Sequence, residues 1–170
     1  FLDDSTLVDS NAGHGFWQDG PIPESFETAS DWPTVEMHEQ VNLRRFRNKE
    51  TQTPQSDVSS FVFADGETYG WVTACNADQE LLIGYLWRTA DYPWLNMWRS
   101  LREGKVAARG LEFGTTGYRQ PFPQLVEAGR ILDRPLFHYI DASQTVGRSY
   151  AVFLAKIPTD YRGVERITYA

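Results

Sequence analysis

An antiparallel β-sandwich is the fold class that this sequence predicts, and three observations predict it. Short runs of alternating apolar and polar residues recur every ~10–14 residues along the chain. Clusters of Gly, Pro, Asn and Asp separate them. Only one stretch, QLVEAGRIL at 124–132, has helical spacing, and it is long enough for one or two turns. Strands following strands with turn signals between them fit packed antiparallel sheets rather than βαβ units. At 170 residues, 41% of them hydrophobic, the chain is long enough for one domain with a real core, so residues 1–170 are read as a single β-sandwich domain.

Residues 1–33 are rich in turn formers and read as a loop-rich arm with one short strand near Leu7–Val8. His14 lies in it between two glycines, ahead of Phe16 and Trp17. Residues 34–46 alternate, with Val35, Met37, Val41 and Leu43 on one face and Glu36, His38, Gln40 and Asn42 on the other; they read as one half-buried strand. A polar loop follows over 47–57. Residues 58–64 read as a strand that ends at Asp65-Gly66, with 68–75 as its hairpin partner. Residues 79–88 are apolar on both faces and predict a central strand. Over 94–99, Trp94, Asn96 and Trp98 alternate with Leu95, Met97 and Arg99; over 105–113, Glu112 stands beside Ala108 and Gly110, while Arg109, Leu111 and Phe113 take the other side. Residues 134–142, 148–157 and 162–169 read as three further strands.

Several chemistries are excluded. The net charge of −7 argues against nucleic acid, whose phosphates need a basic face. No apolar run approaches the ~18–20 residues that span a bilayer. No GxSxG elbow, GxxxxGK[ST] loop or GxGxxG turn is present. Cys75 is the only cysteine, and His14, His38 and His138 lack the spacing of a metal pair. No cofactor is expected. What remains is carbohydrate chemistry. Sugars stack C–H faces on indoles and offer hydroxyls to charged and amide groups, and 14% of the chain is aromatic, six residues of it Trp. Trp94, Asn96, Trp98, Arg88 and Arg109 are candidate sugar contacts, with Trp17 beside His14 a further one. A glutamate and a histidine can hold opposite protonation states near neutrality, as acid–base work at an anomeric centre needs. A second copy of the chain, met through the aromatic surplus, is a candidate partner.

The run YLWRTADYPWLNMWRS followed by RGLEFGTTG resembles the C-terminal part of aldose 1-epimerases (galactose mutarotases) and of the wider mutarotase-like carbohydrate-binding β-sandwiches. The matching words are Tyr92-Pro93-Trp94-Leu95 with Trp98, and Gly110-Leu111-Glu112-Phe113, where the family usually has proline in place of Phe113. FHYIDASQTVGRSYAVFLAKIP is similar to the family's closing hairpin, and the likeness covers roughly residues 70–170. The resemblance implies a mutarotase-like supersandwich of which this chain is the later portion. It implies that Glu112 is the base for the anomeric hydroxyl and that His14, in NAGHGFW, is the acid for the ring oxygen. The alternative on the same residues is a carbohydrate-binding sandwich without catalysis.

Overall fold

Period-two alternation forces a strand to bury one face, and in this chain two sheets do so against each other. The structure, a computed structural model, describes residues 3, 5–23, 30–37, 39–45, 56–102 and 105–168. Its strands are β1 (Thr6–Ser10), β2 (His14–Trp17), β3 (Ser30–Asp31), β4 (Thr34–Glu36), β5 (Gln40–Asn42), β6 (Ser56–Phe61), β7 (Tyr69–Asn76), β8 (Leu81–Arg88), β9 (Trp94–Arg102) and β10 (Lys105–Gly114). Helix α1 (Phe122–Ala128), β11 (Arg130–Ile131), β12 (Arg134–Pro135) and β13 (Tyr150–Lys156) follow. One sheet has the order β1-β7-β8-β13 and the other β10-β9-β6-β2-β3, and every pairing is antiparallel. The predicted all-β sandwich is thus the observed architecture.

The core between the sheets comes from the alternation. Val8, Val72, Ala74 and Trp87 of the first sheet meet Phe61, Leu95 and Met97 of the second, and Val35, Val41 and Leu43 close one end. Phe113 stacks on Trp87 at 4.5 Å between ring centroids. The outer face of the first sheet, Cys75 and Leu82, is covered by Ile157, Tyr161 and Val164 of the C-terminal segment. Asp9 ties that segment down by accepting from the Val164 amide at 2.8 Å and from Arg44 Nε at 2.6 Å.

Six expectations are corrected. β6 and β7 are not a hairpin: the chain crosses from one sheet to the other at Asp65-Gly66. Residues 34–46 do not make one strand; β4 and β5 pair through Val35↔Val41, which still delivers Val35, Val41 and Leu43 to the core. The arm contains β1 and also β2, so His14 is in a strand. Of 134–142 only Arg134–Pro135 pairs, and residues 162–168 form no strand. In β10 a bulge between Val106 and Ala108 turns Val106 inward against Leu101, while Ala108, Gly110 and Glu112 stay on the outer face. His38 and most of the 47–57 loop lie outside the described residues.

Candidate ligand-binding face

The outer face of the five-stranded sheet is where the predicted site residues divide. Cross-strand register places Glu112, Asn96, Ser60 and Phe16 in one row, and Gly110, Trp98 and Val58 in the next. Directly opposed residues of an antiparallel pair share a face, so all seven project from the same side.

Part of this face is roofed. Pro121 starts α1 and Gly129 ends it at φ 68°, donating its amide to the Leu125 carbonyl. β11 and β12 then reverse through Leu132 and Asp133, both at positive φ, as a two-residue hairpin turn requires. This roof lays Tyr118, Leu125, Ile131 and Leu136 over Phe16, Val62 and Trp94. Trp94 is fully enclosed, with its Nε1 donating to the Pro135 carbonyl at 2.7 Å. It offers no stacking face, which corrects its reading as a sugar platform.

The unroofed part holds Trp98, half-buried and flanked by Gly110 and Val58. Glu112 is exposed and folds over Gly110: a Cβ on that glycine would meet Glu112 Oε1 at 2.5 Å. Beneath runs a chain of amides and hydroxyls. Gln18 Nε2 donates to Ser60 Oγ at 2.6 Å, Ser60 Oγ donates to Asn96 Oδ1 at 2.7 Å, and Asn96 Nδ2 donates to the Thr116 carbonyl at 3.0 Å. Gln18 Oε1 also accepts from the Arg119 amide at 2.8 Å. Asn96 therefore braces the turn after β10, committing one N–H and one oxygen lone pair to the protein. A cleft of ≈ 340 Å³ opens beside Val58, lined by Gln18, Asp19, Tyr118, Arg119 and Gln120 among others. Burial, with the charge of Asp19, raises the Tyr118 hydroxyl above its usual value. Gln18, Ser60 and Arg119 gave no sequence signal, because their roles depend on strand pairing between distant segments.

The other predicted residues lie elsewhere. His14 projects from the same face as Glu112, but β6 and β9 stand between their strands, about 14 Å across three strand spacings. It is exposed, with Nδ1 at 2.6 Å from Asp31 Oδ1, at the mouth of a cleft of ≈ 510 Å³ shared with Asp65, Asp133 and Arg134. Trp17 packs toward the main core, though it is also among the residues that line the cleft beside Val58. Arg88 ends β8 in the opposite sheet. Arg109 faces between the sheets, opposite Arg99, and its guanidinium donates to the carbonyls of Leu43 and Arg45. Burial and the neighbouring Arg99 charge lower it to about 9, and Asp57 opposes them. His14, Arg88 and Arg109 lie apart from the patch around Trp98 and from the cleft beside it. Among the described residues no three His, Cys, Asp or Glu side chains converge as a metal site, and no helix is long and apolar enough to cross a membrane.

Compared with protein-family models, curated proteins and solved structures, the chain matches none of them.

Proposed function

We propose that this chain is a carbohydrate-binding β-sandwich of the mutarotase-like kind, taking a sugar on the unroofed outer face of its five-stranded sheet. The observation that carries the reading is the pairing of Trp98 with the Glu112 carboxylate across Gly110. The partly exposed indole and the carboxylate that lies over Gly110 are side by side, so one sugar ring can stack on the first and hydrogen-bond the second. The carboxylate accepts from ring hydroxyls, and the cleft beyond Val58 adds amide and guanidinium partners for a second unit. The words around Tyr92–Leu95 and Gly110–Phe113 support the family reading, and the sandwich is compatible with it.

Titration calorimetry over a panel of mono- and oligosaccharides tests this. At least one sugar binds, and Trp98→Ala weakens it ~10-fold, the worth of one aromatic stack at about 1.4 kcal/mol, with unchanged circular dichroism. Equal affinity in Trp98→Ala, or no binding sugar, counts against the proposal. Epimerase chemistry is the second reading. It needs Glu112 and His14 at one ring, and the strand count between them favours binding alone. Polarimetry of a freshly dissolved anomer separates the two: acceleration that disappears in Glu112→Gln supports the epimerase.

A further inference from the structure

On its β13 side the interior face of the four-stranded sheet is left uncovered among the described residues. Burial falls along each interior row toward β13. Val8 and Ala74 are enclosed, Ile83 is half-enclosed, and Leu154, next in the row, is 68% exposed. Val72 and Tyr85 lead in the same way to Val152 at 56%, and buried Trp87 to Tyr150 at 56%. β13 is also the last strand of its sheet, so among the described residues its outer backbone edge meets no strand. Edge strands are usually guarded by proline, a bulge or an inward charge. β13 has no proline, its register with β8 is unbroken, and its only charge is Lys156 at the last position.

We propose that β13 pairs antiparallel with β13 of a second copy of this chain, about a two-fold axis at Phe153. The strand is self-complementary in that register: Val152 stands opposite the partner's Leu154, Ala151 opposite the partner's Ala155, and Tyr150 opposite the partner's Lys156. Charge selects the register. Centring on Val152 would set Lys156 against the partner's Arg148, and like charges directly opposed are destabilising. Centring on Leu154 would bring the partner's Pro158, which has no N–H, opposite Tyr150. Only the Phe153 register pairs the whole strand without either fault. Apolar side chains aligned on both sides of the axis favour a second copy over an unrelated strand, and Lys156, whose Nζ lies 3.3 Å from Glu80 Oε2, meets a tyrosine there rather than a like charge. One strand pair covers less than the about 800 Å² per partner of a standard interface, so the dimer is weak and dissociates at about micromolar concentration.

Sedimentation equilibrium of the purified protein across the micromolar range should show a monomer–dimer equilibrium, and Val152→Lys should sediment as monomer with unchanged far-ultraviolet circular dichroism. Crosslinking reads the register, because the native Cys75 is buried. Ala151→Cys mixed with Ala155→Cys under mild oxidation should give a disulfide dimer that neither variant gives alone, since opposed Cα atoms lie at about 4.5–5.5 Å. A monomer throughout the range, a dimer that survives Val152→Lys, or crosslinks outside the 151–155 pair would each overturn the proposal.

Discussion

Arg99 carries the largest electrostatic commitment of any side chain in the core. It is fully buried, and its Nε and Nη2 donate to both carboxylate oxygens of Asp57 at 2.9 and 2.6 Å. Arg109 faces it from the next strand, so one carboxylate serves two guanidinium groups. Removing the carboxylate would leave a buried cation without its counter-charge, which costs about 3–5 kcal/mol. Asp57→Ala is therefore expected to lower the denaturant midpoint severely, and an unfolding free energy within about 1 kcal/mol of the wild type, the worth of one hydrogen bond, would contradict that geometry. Alternation did place Arg99 with Leu95 and Met97, and Arg109 with Leu111 and Phe113. It gave no sign that both cations are interior, because Asp57 is supplied by another strand. Glu112 and Trp98 were legible as outward residues for the same period-two reason.

At the scale of elements, strand existence was easier to read than strand partnership. The strands over 69–114 follow from alternation and turn residues. Asp65-Gly66 signals a turn, yet a turn residue does not say whether the next strand stays in its sheet or crosses to the other. Residues 134–142 alternate, but a strand needs a neighbour to hydrogen-bond, and after Pro135 none is present among the described residues. The roof was invisible in Trp94 itself, since burial of that indole comes from residues 118–136 folding back. It depends on a close approach: a Cβ on Gly117 would meet the Trp94 ring at 2.1 Å. Gly117→Ala should lift the roof and destabilise by about 1–3 kcal/mol, as overpacking does. Thermal melting and quenching of tryptophan fluorescence by acrylamide read the two effects, and unchanged values in both would show that the approach is less tight than described.

For the molecule as a whole, pH reports how the outer layers are closed. Burial, with the Asp9 charge second, raises the Cys75 thiol above 9.0, so the folded state keeps its proton after the unfolded chain has lost it. That contribution is fully present below 9.0 and is lost as pH rises through the folded value. Tyr118 and Tyr161, both raised by burial, act in the same direction at higher pH, while Arg109, lowered to about 9, adds stability as pH rises above that value. Cys75→Ala is expected to flatten part of the alkaline decline in urea midpoint, measured below and above the ordinary thiol value, and an identical decline in both proteins would refute the assignment. The pairing of β8 with β13 has a consequence of a different kind. During synthesis from the N-terminus, β8 and β7 emerge early, but the outer edge of β8 is closed only by residues 150–156, after the whole of 89–149 has followed. Such long loop closures place folding in the slow, millisecond-to-second class of β-sandwiches. A nascent chain on the ribosome therefore carries an open apolar edge on β8 until residues 150–156 follow, and exposed edges of that kind are aggregation-prone.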